Sequence, residues 1–321
     1  MKKLYFFILA SLFFNNDPIS LVYNLKTRRA FRLGGAASSI IKKESLWLLS
    51  VIPIIYKRSR HIETNIFDSN LNVVPVDVCE ERKVGGSIFN LRYIHKKKLW
   101  FEITAGAESE HALSCGTIAL NKTVRGIDDL VFSLGYNVFP TEKIQITGYV
   151  IGGIPINRKL TTDEVFDTFV GTRFYALGAG AEFSYTFVST LKETFAVLAQ
   201  TRFLHFFSRR WTPILPCSAI LQPGNVTDML VAGQYRKKRN IFELGYDSTF
   251  FTNQAILLTT GIVTTDKFIR NSFYLNIAHL FKKFPIFKEN SVLFGGGFYV
   301  ASVNRYETKI SSYWLNFTLI F

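Results

Sequence analysis

Apolar side chains recur at every second residue in segment after segment of this chain, and this period constrains its fold more than any other feature. A period of two predicts β-strands with one apolar face, because successive side chains of a strand point to opposite sides. In residues 128–139, Leu130, Phe132 and Leu134 share the apolar side. We predict about twelve strands, at residues 45–57, 84–95, 98–108, 128–139, 142–154, 172–187, 193–207, 226–237, 240–251, 268–282, 291–302 and 310–321. The expected class is all-β.

The connections between these strands are short and long in turn. Short turns fall at residues 95–98, 140–141, 188–192 and 238–239, and longer segments at 58–83, 109–127, 155–171, 209–225 and 252–267. The last two connections are a moderate one at 283–290 and a tight one near Asn304. Up-and-down membrane barrels sort their connections in this way, with short turns on the periplasmic rim and long loops outside. We therefore expect a transmembrane antiparallel up-and-down β-barrel of about 12 strands.

Charged and amide side chains stand in the middles of the strands, on the face opposite the apolar one. Lipid does not accept such groups, whereas the interior of a barrel does. The predicted inward set is Glu102, Glu182, Gln200, Arg202, Asp228, Gln234, Arg236, Glu243, Asp247 and Arg270. Two interpretations stay open: a packed salt-bridge network that fills the lumen, or a charged constriction that lines a pore.

The N-terminus has the pattern of a secretory signal peptide. Two lysines at positions 2 and 3 precede an apolar run from Leu4 to Phe14, as in the positive and hydrophobic regions of such peptides. A short buried helix is the alternative. We assign residues 1–20 to the signal peptide without a defined cleavage site, 21–44 to an N-terminal segment and 45–321 to the barrel. Elsewhere the sequence has no apolar run of about 18 residues, the length that a spanning helix needs.

Little in the sequence indicates catalysis, metal binding or nucleic-acid binding. The three cysteines, Cys79, Cys115 and Cys217, lie in predicted loops without a C-x-x-C pair, where two of them can form a disulfide in an oxidising compartment. We expect no cofactor and no metal. The net charge of +14 is spread along the chain, so no nucleic-acid partner is expected. Asp128 and Asp129 are neighbours that a strand would point to opposite faces, which makes a poor catalytic pair unless they lie in a loop. We expect them to form hydrogen bonds at the rim instead.

The predicted loop from Ser208 to Gly224 is unusually apolar and rich in proline. It can fold into the lumen as a constriction, lie across the mouth as a lid, or form an adhesive surface patch. Arg209, Arg210 and Trp211 are the candidates for a gate.

Two short stretches resemble bacterial outer-membrane barrel proteins, including porin-like and transport barrels. One is Arg125-Gly126-Ile127-Asp128-Asp129-Leu130 followed by Gly135-Tyr136, which resembles a recurrent G-x-G-D-x-x-x-G-x-x-Y hairpin, with Asp128 where a second glycine often stands. The other is the final strand, whose alternating large residues resemble the C-terminal signature of those barrels: Tyr313, Leu315, Phe317, Leu319 and Phe321. The resemblance implies a location in the bacterial outer membrane, and partners that include outer-membrane lipids and the barrel assembly machinery, which reads the final Phe. It also implies that homo-oligomers can form.

The expected function is that of a passive, porin-like channel for small solutes with a charged lumen, and not that of an enzyme. One alternative is a closed structural or adhesive outer-membrane barrel that acts through its extracellular loops. A barrel enzyme is a second alternative, which the residue inventory disfavours, and a soluble periplasmic β-protein is the rival at the level of the fold.

Overall fold

The computed structural model describes most of the chain beyond residue 44. The described residues are 45–67, 73–116, 120–138, 141, 143–156, 171–190, 192–211, 219–258, 261–264, 267–284, 287–304 and 308–321. The predicted signal peptide and the segment 21–44 lie outside them. Among the described residues no helix is long and apolar enough to cross a membrane.

In this part of the chain the backbone is almost entirely extended, as the alternation predicts. The strands are β1 Leu46–Phe67, β2 Val73–His95, β3 Leu99–Gly116, β4 Leu120–Ile127, β5 Leu130–Asn137, β6 Ile144–Ile154, β7 Ala176–Ser189, β8 Glu193–Phe206, β9 Arg209–Trp211, β10 Ala219–Gln222, β11 Val226–Lys237, β12 Asn240–Phe251, β13 Ala255–Leu258, β14 Gly261–Thr264, β15 Phe268–Phe284, β16 Phe287–Val303 and β17 Lys309–Ile320.

Thirteen of these strands form one antiparallel sheet that closes on itself through the pairing of β1 with β17. Both β4 and β5 pair with β3, one after the other, so together they occupy one strand position in the barrel. The closed sheet therefore has twelve strand positions, and the predicted up-and-down barrel is confirmed. At the seam, the amide of Trp47 donates to the carbonyl of Phe321 at 2.8 Å and the amide of Phe321 donates back at 3.1 Å.

The outer face of the barrel is an apolar belt. Exposed side chains such as Ile55 (65%), Leu244 (63%) and Leu315 (55%) cover it, which suits contact with hydrocarbon. Aromatic rings mark the edge of the belt near the short turns, where Trp47 packs on Tyr93 with ring centroids 4.6 Å apart. Amphipathic rings at this level are typical of membrane interfaces.

Inside the barrel, four large aromatic rings each cover a glycine that is their direct partner on the next strand. The pairs are Trp100 with Gly135, Tyr149 with Gly180, Tyr274 with Gly245, and Trp314 with Gly297. At each glycine an added Cβ would overlap the ring. The glycines therefore let the rings lie flat against the wall instead of projecting across the lumen, in the arrangement known as aromatic rescue.

The prediction of loops at residues 58–83 and 109–127 was wrong. The first three strands continue far past the apolar belt, over 22, 23 and 18 residues, and remain paired with one another through Phe67↔Val73 and Val78↔Gly116. Their charged residues still alternate in and out, which is typical of a strand rather than a loop. Below we call this paired extension of β1–β3 beyond the belt the tall wall.

The cysteines of the tall wall also differ from the expectation. Cys79 and Cys115 lie in strands, not loops, and are direct partners in the register of β2 and β3. Cys79 is disulfide-bonded. Cys217 lies outside the described residues.

A second, four-stranded sheet stands above the long-loop end of the barrel, in the order β14-β13-β10-β9. Its strands come from the two connections that follow β8 and β12. Part of the predicted gate loop is therefore paired strand, because Trp211 pairs with Ala219 and Arg209 with Leu221.

Candidate functional site: the charged interior of the barrel

All ten residues predicted to face inward lie on the inner face. Nine are at most 7% exposed, which indicates that side chains fill the interior around them. Glu182 is half-buried. The polar residues of the wall formed by β8, β11, β12 and β15 fall into two layers, an inner layer near the short turns and an outer layer near the long loops. Leu198, Leu230 and Ala232 separate the layers as a buried apolar band.

Glu243 is the centre of the inner layer. One of its oxygens accepts a hydrogen bond from Gln234 Nε2 at 2.7 Å and the other accepts one from the Tyr274 hydroxyl at 2.8 Å. Asn276 is the direct cross-strand partner of Glu243, yet neither its Nδ2 nor its Oδ1 has a hydrogen-bond partner in the described structure. Hydrogen-bonding capacity therefore remains unused at this level of the lumen.

Arg236 closes the inner layer at the short-turn rim and ties the rim together. Its guanidinium donates to the carbonyl of Thr190 at 2.7 Å, to that of Lys238 at 3.1 Å and to the hydroxyl of Thr194 at 3.2 Å. These acceptors belong to two adjacent turns. Arg236 thus holds the rim rather than facing a carboxylate.

The outer layer is built on an ion pair between neighbouring strands. Arg202 Nε donates to Asp228 Oδ2 at 2.7 Å, and Nη2 contacts the same oxygen. Arg270 donates to the Thr249 hydroxyl at 3.0 Å and lies over the ring of Phe251, 5.9 Å from its centroid. Each guanidinium is therefore fixed by a charge, a hydroxyl or a ring.

The opposite wall, formed by β2 and β3, carries a second column of polar side chains; the two layers described above form the first. Asn90 donates to the Thr104 hydroxyl at 2.7 Å, and this hydroxyl lies 3.4 Å from a carboxylate oxygen of Glu102. Below them Arg92 stacks over Trp100, 4.2 Å from the ring centroid. Polar groups thus line the barrel on both sides.

A cluster at the mouth was missed by the sequence analysis because its residues fell in predicted loops. It lies on the inner face of the tall wall, and we call it the mouth cluster: Arg58, Arg60, Glu80, Arg82 and Glu110. All five side chains are buried. Their regular alternation with exposed residues, in phase with Tyr56, was the signal that would have found them.

Glu80 is shared by all three arginines of the mouth cluster. Arg82 Nε and Arg60 Nε contact its two oxygens, while Nη2 of Arg58 stays 3.8 Å away. Although burial alone would raise it, the arginines hold the pKa of Glu80 well below its usual value. Burial lowers the pKa of Arg60 to about 9, and the like charges of Arg58 and Arg82 contribute. Positive charge is therefore concentrated here.

Asp128 and Asp129 are both buried and precede β5, although the predicted strand 128–139 included them. They lie between β4 and β5, where the chain leaves regular strand geometry. Asp129 accepts hydrogen bonds from the amide and the hydroxyl of Thr172, and Asp128 accepts one from the Asp129 amide. This pair fastens the segment that precedes β7.

The candidate gate residues stand above the mouth. Arg209 is half-buried and donates to the carbonyl of Arg173 at 3.3 Å, whereas Arg210 is exposed. The side chain of Trp211 lies outside the described part of the structure. The gate role stays a prediction.

Tyr313, Leu315, Phe317 and Leu319 of the predicted assembly signal lie on the outer face of β17, which is paired on both sides, and Phe321 follows the strand directly. Tyr313 is 61% exposed and Phe321 39%. Their recognition by an assembly machinery stays a prediction.

The histidines of the barrel strands lie on its outer side. His205 Nδ1 is 2.8 Å from Asn225 Oδ1, and His279 Nδ1 is 2.6 Å from Asn240 Oδ1. Neither of these two imidazoles is hydrogen-bonded to a serine in the described residues, whereas Nδ1 of His95, at the end of β2, lies 3.5 Å from the Ser45 hydroxyl. These pairs sit at the two edges of the belt.

Comparison with known proteins shows the fold alone. The sequence matches no protein-family model, and no curated protein matches it. The structure is similar to an outer-membrane channel from Pseudomonas putida F1, with a TM-score of 0.55 and 14% identity over 84% of this chain and 94% of that one. Lower similarity links it to the CymD monoaromatic hydrocarbon channel (TM-score 0.40, 10% identity, 96% and 98% covered) and to the NanC porin (TM-score 0.36, 10% identity, 82% and 98% covered). The chain has the barrel fold of an outer-membrane channel.

Proposed function

We propose that this protein is an outer-membrane channel that passes small polar solutes through its charged lumen. The observation that carries the proposal is the pair of polar columns on opposite walls of the interior. Apolar side chains would fill a purely structural barrel at a lower cost in free energy than charged ones, because buried charges lose their hydration. Free hydrogen-bonding groups such as the Asn276 amide supply sites at which a solute can replace water.

In this proposal the channel rests in a narrow state, which agrees with the burial of these side chains. Rotation of the Arg202 and Glu243 side chains away from the axis would widen it without moving the wall, since the strands are paired over their whole spanning length.

A closed barrel that acts through its extracellular parts is the second candidate. The nearly complete burial of the inward charges favours it, as does the tall wall. It predicts a barrel without conductance.

Ion conductance of the refolded protein in a planar bilayer tests the proposal. We expect stepwise conductance, and we expect the cation-to-anion selectivity to change in the Arg202→Ala/Arg236→Ala variant, because two lumen cations are lost. Lys237→Ala/Arg239→Ala, which removes two exposed cations near the turn, is the matched control and should keep wild-type selectivity. Silence from protein that is folded and inserted would favour the closed barrel.

A further inference from the structure

The mouth cluster contains an arginine whose charge is not matched by a carboxylate of its own. Three guanidinium groups face two carboxylates, Glu80 and Glu110. Glu80 contacts Arg60 and Arg82, and Glu110 binds Arg82 Nη1 at 2.7 Å. Arg58 is left with a distant contact of 3.8 Å to Glu80.

The position of Arg58 makes this imbalance costly. It lies directly opposite Arg82 across β1 and β2, and like charges opposite each other destabilise a sheet. Its side chain is 8% exposed, so water screens the repulsion poorly. The Nε and Nη2 atoms of Arg58 have no hydrogen-bond partner in the described structure, although buried donors of this kind normally have one.

We propose that the mouth cluster binds a small oxyanion, such as the phosphate or carboxylate group of a solute, and that Arg58 is the residue that binds it most directly. The planar fork of a guanidinium matches two oxygens of such a group. An oxyanion beside Arg58 would satisfy the two donors and neutralise the surplus charge. The inner-face position selects a solute in the lumen rather than a lipid head group. This site does not depend on conductance, so it goes beyond the proposed function.

The neighbouring cations are arranged differently and do not compete for this role. Lys57 and Lys83 point outward and are each paired with Glu81, at 3.0 and 2.9 Å. The next carboxylate of β3, Glu108, lies beside Asp128 and Gly171. On the inner face of the tall wall, Arg58 is the arginine with two donor atoms that have no hydrogen-bond partner in the described structure.

Isothermal titration of the folded protein with inorganic phosphate, in phosphate-free detergent micelles without lipid, tests the site. We expect saturable binding that is at least tenfold weaker in Arg58→Gln. Lys83→Gln removes the same charge from the outer face of the neighbouring strand and should bind as the wild type does. Equal binding by Arg58→Gln and the wild type would overturn the proposal, as would the absence of saturable binding.

Two further measurements keep the test independent of how well the variant folds. Phosphate should raise the midpoint of thermal unfolding of the wild type above that in chloride at equal ionic strength, because a ligand stabilises the state that binds it. No difference would contradict the site. Competition by added lipopolysaccharide would assign the phosphate to lipid and overturn the luminal location, whereas unchanged binding supports it.

Discussion

At the scale of single residues, the interior depends on glycines that make room for aromatic rings. Gly245 shows the principle, since the ring of its partner Tyr274 lies where a side chain would be, and the Tyr274 hydroxyl reaches Glu243 from that position. One hydrogen atom in place of a methyl group therefore sets both the packing of the ring and the orientation of a lumen carboxylate.

Gly245→Ala should destabilise the barrel by about 1–3 kcal/mol, the usual cost of overpacking a filled interior. The added methyl group would displace the Tyr274 ring towards the axis, so conductance should also fall. Urea unfolding in micelles, followed by tryptophan fluorescence, measures the first effect. Gly148→Ala is the control, because nothing lies within 4 Å of its added Cβ; equal losses for both variants would refute the explanation.

At the scale of the strand, the two faces of each barrel strand have different surroundings, the filled interior on one side and the apolar belt on the other. In β17 the inward side chains include the buried Trp314 and Asn316, while Tyr313 and Leu315 are 61% and 55% exposed towards the belt. A shift of register by one residue would exchange the faces. The sharp contrast between them is what fixes the pairing of the closing strand.

Leu315→Lys should cost about 2–4 kcal/mol, as a lysine does near the centre of a bilayer. Ser311→Lys lies on the same face of β17 but is level with the exposed Lys57, so we expect a cost of about 0–1 kcal/mol there. Reversible unfolding in lipid vesicles gives both values. Similar costs at the two positions would mean that β17 does not cross hydrocarbon.

At the scale of the whole molecule, the sorted connections give the barrel its orientation. We expect Asn304→Cys, at the long-loop end, to react with a membrane-impermeant maleimide on intact cells. Arg239→Cys, in a short turn, should react only after the outer membrane is permeabilised. Both variants are made in a chain whose native cysteines are replaced, and the reverse labelling pattern would invert the topology.

Much of this architecture was predictable, because the membrane forces a period of two on the spanning segments. The bounds of β11 and β12, 226–237 and 240–251, agree with the structure, since both are flanked by clear turns. Inward charges such as Asp228 and Glu243 follow from the same pattern. The mouth cluster could not be predicted in this way, because Arg58 and Arg60 lie in a segment rich in charge, and such a segment favours a loop. The pairing of Arg202 with Asp228 and the isolation of Asn276 depend on register, which alternation alone does not fix.

Because the barrel strands differ in length, the long-loop rim of the barrel is oblique. β1 has 22 residues and β6 has 11, so at about 3.3 Å per residue one side runs roughly 35 Å further along the strand direction. With the usual tilt this amounts to about 25 Å of height. A molecule that approaches the barrel from outside therefore meets a screen on the β1–β3 flank. A large particle such as a phage or an antibody would for the same reason touch the crest of that screen before it reached the apolar belt.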